Sequence, residues 1–556
     1  MEKSEKTYIG LTVGPIFESI ANAKETGELW ASSYLFSYIM KNIIKKLLEK
    51  DTTLKDKFIV PYVDDKNIFY ESYEVGLFND RFIFESKDGD FELVEKSVWE
   101  VKEDIIKYIK SYNKNEENEK VKQNIDDFLK IYYLEVDIDT GGKEEYNNII
   151  FKVNKCLDAL ELRENLPNED GMEKNYLLAT LNNKKLKEKN FKYHFLSKDA
   201  YGDIGKEGDY PSLFKIALGK TNENEFPNED KEIKKRLEDD MKDGVLNNLI
   251  KANEYVAIVQ ADGDSISKVI KELKISEGKK DIYKEYKKFS KKLLDYSKDS
   301  SKIIKKYGGF TVYAGGDDLL FIAPILNDNN RIKFERKNDN GELIKEEYFD
   351  SNIFGLIDCL SRVFEDKFEG DKFKPTVSFG VAMVHHKYPL YYALDEAREL
   401  LFDIAKRYKF KENEKNAIAF KVIKNSGQSF ETVIGKNSIS YKEFKSLFRK
   451  IITDDDKSKT TKRYLKAIHF KLIKDKSILN KIGTNKELLK NYFENNFNEE
   501  IHETESIKSY IKNLIDFIYK IYNENECKSI EQIFTYLKFI KFMDENIILQ
   551  KKKVKK

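Results

Sequence analysis

The chain has 556 residues, with 40% hydrophobic and 35% charged residues and a formal net charge of +1. This length is too great for one compact core and predicts roughly three or four domains. The near balance of 99 basic and 98 acidic residues excludes a wholly basic nucleic-acid coat protein. It does not exclude local basic patches, because net charge says nothing about how the charges are distributed.

The three cysteines argue against a disulfide scaffold and a zinc ribbon. Cys156, Cys359 and Cys527 lie far apart and form no Cys-x-x-Cys pair. The first ten residues contain no apolar stretch of signal-peptide length, and the apolar run at 319–326 is too short to cross a bilayer. We therefore expect a protein of the reducing cytoplasm with no membrane association.

The N-terminal part alternates strand-like and helix-like patterns. Strands are predicted at 7–15, 58–63 and 131–138, and helices at 16–49 (broken near Thr26-Gly27), 91–112 and 144–165. This α+β pattern predicts a first domain over 1–165. The following segment, 166–245, is polar and turn-rich, which predicts a linking domain of short helices and loops.

A second α+β domain is predicted over 246–428. Strands are expected at 255–264, in two apolar runs around a glycine turn within 310–324, in a hairpin at 332–349 turned at Asn340-Gly341, and at 376–384 and 416–423. Helices are expected at 287–307, 354–368 and 389–408. From Ser429 to Lys556 the periodicity is almost entirely helical, which predicts a C-terminal helical bundle.

Two pairs of aspartates carry the chemistry in this second domain. Asp262 and Asp264 end one strand, and Asp317 and Asp318 lie in the glycine turn between two apolar strands. Adjacent strands would bring both pairs to one sheet edge, where converging carboxylates form an oxygen-ligand site suited to Mg²⁺ or Mn²⁺. Two such ions can bind a triphosphate, lower the pKa of an attacking hydroxyl and stabilise the leaving pyrophosphate.

The glycines of the turn support the same interpretation. Gly315 and Gly316 allow a tight turn and let the backbone approach phosphates without an intervening Cβ. The alternative is a surface β-hairpin with a polar turn. The apolar flanking strands and the preceding acidic strand end favour a catalytic site.

The pattern VQADGD…YAGGDDLLFIAP resembles the palm of nucleotidyl cyclases and of the large subunit of type III CRISPR RNA-guided effector complexes. Residues 378–406, which include Ser378 and Lys406, are similar to the second palm motif of that subunit. Residues 12–40 are similar to the first motif of its Cmr (type III-B) form, and shorter similarities lie at 210–217 and 416–427. The resemblance therefore runs in order over about residues 7–427.

The resemblance implies two ferredoxin-like palm domains, a helical linking region and a C-terminal helical bundle. It implies a subunit that works with other complex subunits, a guide RNA and a target RNA. Binding of target RNA would switch on conversion of ATP to an adenylate second messenger, commonly cyclic oligoadenylate, in antiviral defence. Carried over by residue, Asp262, Asp264, Asp317 and Asp318 would hold metal ions, with Asp317 and Asp318 catalytic. Gly315, Gly316, Ser378 and Lys406 would contact the nucleotide, Lys406 at the triphosphate.

Three departures from the family pattern change what is expected. An HD nuclease domain needs several histidines and a His-Asp pair, but only His194, followed by Phe195, precedes the GGDD, so we expect no HD DNase. Segment 166–245 contains no cysteine, so no zinc site is expected between the palms. The segment 262–268 lacks the Asn, Met and Gly that often follow Asp-Gly-Asp, which leaves the fit of the nucleotide open.

The acceptor of the adenylate also stays open. Cyclic oligoadenylate requires an ATP acceptor with a 3′-hydroxyl, whereas some family members without an HD domain attach AMP to S-adenosylmethionine. Two other functions compete with this one. The intact GGDD argues against a catalytically inactive structural subunit, and the N-terminal similarity argues against a stand-alone cyclic-dinucleotide cyclase.

Five further features carry weaker signals. The Asp64-Asp65 pair after the strand at 58–63 predicts a plain turn, and the acidic strand end at 137–142 predicts an acceptor site or an acidic turn. His385-His386 is compatible with metal binding, but packing is favoured. Trp30 is predicted in the core, and the lysine-rich tail at 551–556 either contacts RNA phosphates or is solvated.

Overall fold

The computed structural model describes residues 5–112, 118–139, 148–162, 193–201, 210–217, 254–273, 282–327, 331–337, 342–410, 413–453, 468, 470–496, 505–524 and 529–543. Most of the predicted linking domain lies outside the described residues, as do residues 140–142, the turn at Asn340-Gly341 and the tail at 551–556. Within 166–245 the described elements are the helices His194–Tyr201 and Leu213–Ala217.

The N-terminal sheet has four strands in the order β2-β3-β1-β4. They are β1 Glu5–Gly14, β2 Phe58–Val60, β3 Arg81–Glu85 and β4 Lys130–Asp139. Strand β1 pairs antiparallel with both β3 and β4. The helices of this region are Ile16–Ala21, Thr26–Lys50, Asn67–Tyr70, Asp90–Tyr112, Asn118–Phe128 and Ile149–Glu161.

Alternation along β1 explains how this sheet is covered on both faces. Ile9, Leu11 and Val13 share one core with the two long helices Thr26–Lys50 and Asp90–Tyr112. Tyr8 belongs to another core, with side chains of the helix Ile149–Glu161. Because successive side chains of a strand point to opposite faces, one strand supplies both cores. The strand order and its crossing helices give the predicted ferredoxin-like palm.

The second sheet has six strands in the order β14-β13-β10-β5-β7-β6. They are β5 Tyr255–Asp264, β6 Phe310–Gly315, β7 Asp318–Pro324, β10 Thr376–His385, β13 Ala417–Ile423 and β14 Ser429–Gly435. The strands β8 Ile332–Lys337 and β9 Leu343–Phe349 form a separate hairpin, and the short strands β11 Lys409–Phe410 and β12 Asn413–Glu414 form another. The subset β10-β5-β7-β6 repeats the order of the first sheet, which confirms a second palm.

Helices cover this second sheet on both faces. The described ones are Ile266–Glu272, Ile282–Tyr307, Ile353–Lys367 and Leu390–Glu399, and the last continues as a π-helical turn, Leu400–Ala405. Ala257, Val259 and Ala261 belong to the core that holds Ile282–Tyr307 and Ile353–Lys367, whereas Val256 and Ile258 belong to the core of Leu390–Ala405. Strand β5 is therefore sandwiched, which explains its nearly continuous apolar sequence.

The C-terminal region consists of helices that share a core with the second palm. The described helices are Ile439–Thr453, Lys476–Ile482, Lys486–Asn496, Glu505–Glu524 and Ser529–Met543. The ring of Phe354 lies 5.2 Å from that of Phe444 and 5.5 Å from that of Phe539. These edge-on aromatic contacts anchor the helical bundle on the palm.

The two palms contact each other through buried hydrophobic side chains, ion pairs and a backbone bridge. Lys287 and Lys298, on the long helix of the second palm, approach Asp64 and Asp65 of the first, each pair at 3.2 Å. Gly76 forms a parallel bridge with Tyr313 of β6. The Asp64-Asp65 turn is thus part of the contact between the palms.

Several predicted elements differ from the observed ones. The prediction that helices follow from Ser429 onward is wrong for Ser429–Gly435, which pairs antiparallel with β13 as the edge strand β14. The strand predicted at 58–63 ends at Val60, because Pro61 lacks the N–H that a ladder needs. Strand β3 and the helix Asn118–Phe128 were not predicted. In the described part of the chain, no helix is long and apolar enough to span a membrane.

Gly380 tests the packing of β10 against the helix that follows it. A Cβ at this position would clash with the carbonyl oxygen of Ala397 and lie 2.5 Å from the Leu401 nitrogen. The backbone of the helix cannot move aside without a loss of stability. We therefore expect Gly380→Ala to lower the free energy of unfolding by about 1–3 kcal/mol. Urea denaturation measures this change. Gly14→Ala is the control, because the nearest atom to a Cβ there is 4.0 Å away. Equal stability of the two variants would contradict this packing.

Candidate active site at the edge of the second sheet

The pairing of β5 with β7 brings the two acidic segments together. The register runs antiparallel from Val256–Pro324 to Ala261–Leu319. Asp262 and Asp318 are each the next residue beyond the pair Ala261–Leu319, so they follow it side by side at the sheet edge. Asp317 lies in the turn just before β7. The expected convergence of the two strand ends is therefore present in the fold.

Three of the four aspartates, Asp262, Asp317 and Asp318, form the acidic cluster. A Cβ on Gly263 would lie 2.5 Å from Oδ2 of Asp317, so this carboxylate packs directly on the glycine between Asp262 and Asp264. Asp317 and Asp318 keep some exposure to solvent. Burial, together with the charge of Asp262, raises the pKa of Asp317 to about 6. Burial and the charges of Asp317 and Asp262 raise the pKa of Asp318 well above its ordinary value.

Asp264 belongs to a different network, although it was predicted to join the metal ligands. Its side chain is 4% exposed. Its carboxylate accepts hydrogen bonds from the Ser378 hydroxyl at 2.8 Å, from the Thr376 hydroxyl at 2.8 Å and from the backbone N–H of Asn416 at 3.0 Å. A carboxylate committed to this many donors anchors neighbouring strands, because breaking those bonds would leave a buried charge unsatisfied.

Lys406 links the acidic cluster to this network. Its ammonium donates to the backbone oxygens of Asp262 and Gly263, each at 2.8 Å, and to Oδ1 of Asp264 at 2.9 Å. It also forms an ion pair with the Asp262 carboxylate. The side chain is 11% exposed. The sequence predicted Lys406 at a triphosphate, but in this structure its ammonium neutralises the end of β5.

The predicted nucleotide-contacting residues fall into two groups. Ser378 is fully buried and its hydroxyl faces Asp264, so in this structure it positions that carboxylate. Gly315 and Gly316 form the turn before Asp317. Gly316 has a φ of +68°, a conformation that favours glycine, and a Cβ there would lie 3.1 Å from the Asn79 amide of the first palm. The glycine turn is thus the part of the site that faces the first palm.

The acidic cluster offers the type of donor atom that a divalent cation requires. Carboxylate oxygens are the ligands that Mg²⁺ and Mn²⁺ prefer, and crowded carboxylates with raised pKa values are what a cation would relieve. As the side chains stand, the described part of the chain has no three acidic, histidine or cysteine groups arranged to hold one metal ion. The donor atoms of the cluster therefore suit Mg²⁺ or Mn²⁺, but the side chains must reorient before they can bind one ion together.

Four positioning residues escaped the sequence analysis. Thr376 and Asn416 bind Asp264, the Ser297 hydroxyl donates to the carbonyl of Gly316 at 3.1 Å, and Asn79 abuts the turn. Their contacts span from 19 to 237 residues along the chain, so no local spacing indicates them. Only Thr376 could have been found from the sequence. It lies two residues before Ser378 in a predicted strand, so the two side chains are expected on the same face of the sheet.

The weaker motifs have structural places. The ring of His385 stacks on that of His386 at 4.5 Å and meets Tyr255 edge-on at 5.6 Å, which favours packing. Trp30 is fully buried and donates its indole N–H to the carbonyl of Glu74 at 2.8 Å. Both arrangements agree with structural roles.

The comparisons with known proteins address the same regions. Residues 255–419 match the family described as Cas10/Cmr2, second palm domain, and residues 8–130 match CRISPR-associated protein Cmr2, N-terminal. The CRISPR system Cmr subunit Cmr2 of Pyrococcus furiosus is 23% identical over 355 residues, which cover 60% of this chain and 36% of that protein. The chain thus spans little more than a third of the length of this curated relative.

One solved structure has a similar fold, and a second one is less similar. A type III-B Cmr-beta complex bound to cognate target RNA contains a chain with a TM-score of 0.51 and 12% identity, covering 98% of this chain and 84% of that one. A chain in a Csm1-Csm4 cassette in complex with cA4 gives a TM-score of 0.48 and 12% identity. The match covers 98% of this chain and 70% of that one.

The fold and the acidic glycine turn define a protein with two palm domains, of which the second carries the carboxylates. Both matched regions follow the order of the palms along the chain. The chain belongs to the Cas10/Cmr2 family of type III CRISPR systems.

Removing the Lys406 ammonium is expected to destabilise the fold. Lys406→Ala leaves the buried Asp264 carboxylate without its cation, and breaking a buried pair in this way costs about 3–5 kcal/mol. Urea unfolding of the full chain measures the loss. The control is Lys409→Ala, whose ion pair with Glu414 is 74% and 59% exposed, so that its loss changes stability by less than about 1 kcal/mol. A similar small loss for Lys406→Ala would refute the anchoring role.

Asp318→Asn tests the acidic cluster by stability alone. The unfolded carboxylate ionises near 3.8, whereas the folded pKa is raised, so keeping the charge costs stability increasingly as pH rises above 3.8. With a chelator at pH 8, the variant should therefore melt higher than the wild type, and the difference should vanish near pH 3. Added Mg²⁺ should raise the melting temperature of the wild type more than that of the variant.

The exposed Asp403, paired with Arg407, provides the matched control. Asp403→Asn should respond to Mg²⁺ like the wild type. An equal Mg²⁺ response in Asp318→Asn would show that the cation does not bind at this cluster.

Proposed function

We propose that this chain is the nucleotidyltransferase subunit of a type III CRISPR antiviral complex, activated by target RNA and using ATP. The observation that carries the proposal is the cluster of Asp262, Asp317 and Asp318, whose crowded carboxylates lie at the turn that faces the first palm. Membership of the Cas10/Cmr2 family supports the partners, which are other complex subunits, a guide RNA and a target RNA.

The proposed reaction transfers an adenylyl group. An oxygen of the acceptor attacks the α-phosphorus of ATP in line, the bond from that phosphorus to the pyrophosphate oxygen breaks, and the acceptor's proton passes to solvent. Mg²⁺ or Mn²⁺, held by Asp262, Asp317 and Asp318, would supply charge neutralisation for the triphosphate and a lower pKa for the acceptor hydroxyl.

The surrounding residues have positioning roles in this proposal. Gly315 and Gly316 carry no Cβ, so a phosphate could approach the backbone of the turn once Tyr313 and Asn79, which lie against these glycines, move aside. Lys406, Ser378 and Thr376 hold Asp264 and fix the end of β5 against β10. This rigid support keeps Asp262 beside the GGDD turn. Asn79 of the first palm lies across from Gly316, where we place the acceptor.

The product is proposed to be an adenylate second messenger. With a second ATP as acceptor, its 3′-hydroxyl attacks and a linear oligoadenylate forms with release of pyrophosphate. Attack of the chain's own 3′-hydroxyl on its 5′ α-phosphorus then releases the last pyrophosphate and closes the cyclic oligoadenylate. With S-adenosylmethionine as acceptor, the product is its conjugate with AMP. The two products differ in mass, so one reaction mixture distinguishes them.

The test uses the full chain assembled with its partner subunits and guide RNA. The complex is incubated with target RNA and ATP, with and without S-adenosylmethionine, and products are identified by mass spectrometry. We expect an adenylate product that depends on target RNA and falls at least about 100-fold in Asp317→Ala/Asp318→Ala, because the acidic cluster is lost. Asp403→Ala should retain full activity.

Three outcomes would contradict the proposal. Product formation by the double variant would refute the assignment of the cluster. A wild-type complex that assembles on target RNA without any product would favour an inactive structural subunit. A product formed by the isolated chain without RNA would favour a stand-alone cyclase.

A further inference from the structure

A second cleft, of about 420 Å³, lies between the second palm and the C-terminal helices. Its walls come from Tyr408, Phe410, Lys415 and Asn416, from residues 435–439 at and after the end of β14, and from the helix Glu505–Glu524. None of the four aspartates lines it. This volume falls within the range of small-molecule sites. The cleft is therefore large enough for a nucleotide and separate from the acidic cluster.

The walls combine aromatic rings with lysines. Tyr408, Phe410 and Tyr519 line the cleft, and so do Lys415 and Lys520. Lys520 pairs with Glu443 at 2.7 Å, whereas Lys415 forms no ion pair among the residues that the structure describes. Flat rings beside ammonium groups suit a ligand with an aromatic ring and a negative charge.

The one carboxylate that lines the cleft is already engaged. Glu524 accepts hydrogen bonds from the backbone N–H groups of Ile439 and Ser440, at 2.6 and 2.5 Å, and so caps the helix Ile439–Thr453. Its oxygens are therefore occupied by these donors. Lys415 is the lining cation that remains for the negative group of an incoming ligand.

Asn416 supplies a polar group that lacks a partner. The residue is 9% exposed and lines the cleft, and its buried Oδ1 has no hydrogen-bond partner among the residues that the structure describes. A buried acceptor of this kind calls for an N–H donor. A ligand in the cleft reaches Oδ1 only if the amide turns toward it, and the terminal amide torsion of Asn is soft enough for such a rotation. An exocyclic amino group on an aromatic ring matches this acceptor.

We infer that this cleft is a second nucleotide site, which takes a nucleotide with an amino-bearing base such as adenine. The base lies among Tyr408, Phe410 and Tyr519, its amino group donates to Asn416, and its phosphate faces Lys415. The nucleotide is either free or part of a single-stranded RNA, since both present the same base and phosphate.

The cleft adjoins the acidic site, so the experiment must separate the two. The backbone N–H of Asn416 donates to Asp264 at 3.0 Å. Binding is therefore measured in the full chain carrying Asp317→Ala/Asp318→Ala, with a chelator present. The readout is binding alone, so the result does not depend on whether the chain is catalytically active.

The probes are AMP and a short single-stranded oligoadenylate RNA, each titrated by equilibrium dialysis or fluorescence anisotropy. We expect saturable binding that weakens at least tenfold in Lys415→Glu and several-fold in Asn416→Gly. Glycine suits this position because the φ of Asn416 is +49°, so the variant removes the amide without straining the backbone. Lys442→Ala, an exposed lysine outside the cleft, should bind like the parent.

The two probes distinguish the sources of the nucleotide. Binding of AMP that the cleft variants weaken supports a free nucleotide, and binding of only the RNA with the same sensitivity supports a strand of RNA. Absence of binding by both probes, or binding that Lys415→Glu and Asn416→Gly leave unchanged, would overturn the proposal.

Discussion

The antiparallel pairing of β5 with β7 is the constraint on which the rest of the site depends. It places the end of one strand beside the start of the other, and it thereby brings Asp262 next to Asp317 and Asp318. Burial disfavours the charged form of these carboxylates, and repulsion between like charges adds to it, which is why the pKa values of Asp317 and Asp318 are raised. The sheet holds these carboxylates together at the expense of stability, as functional sites commonly do.

A second network makes this arrangement rigid. Asp264 lies on the same strand as Asp262 but binds inward, to β10 through Ser378 and Thr376 and to the start of β13 through Asn416. Lys406 closes the network from the π-helical turn and also binds the backbone of Asp262 and Gly263. Asp262 thus belongs to the acidic cluster, while Asp264 fixes the strand β5 that carries both residues.

Much of this could be predicted from the sequence because its signals are local. The apolar run before Asp262 and the runs around the GGDD turn fixed three strands, and adjacent strands imply that their acidic ends meet. The sequence did not predict that Asp262 lies in the acidic cluster while Asp264 binds the neighbouring strands. The partners of Asp264 lie 112 and more residues further along the chain. The resemblance placed Lys406 at a triphosphate. Its contacts with Asp262, Gly263 and Asp264 could not be predicted, because these residues lie 142 to 144 positions away in the chain.

The missed elements have a similar cause. Strand β14 follows β13 after a short turn, and its Ser-Phe-Glu-Thr sequence carries too few apolar residues to stand out against the helical segment that follows. Strand β3 has five residues and lies beside a long loop that reaches the second palm. Short strands obtain their stability from neighbours, so their own sequence indicates them poorly.

The contact between the palms gives the site its second wall. Asn79 of the first palm abuts Gly316, and ion pairs from Asp64 and Asp65 hold the long helix of the second palm in place. An experimental density map of the full chain with Mn²⁺ and a non-hydrolysable ATP analogue would test the central claim most directly. The account predicts anomalous manganese signal within ligand distance of Asp262 and of Asp317 or Asp318, with the triphosphate along the Gly315-Gly316 turn. Manganese and triphosphate bound elsewhere, with those carboxylates left unligated, would contradict it.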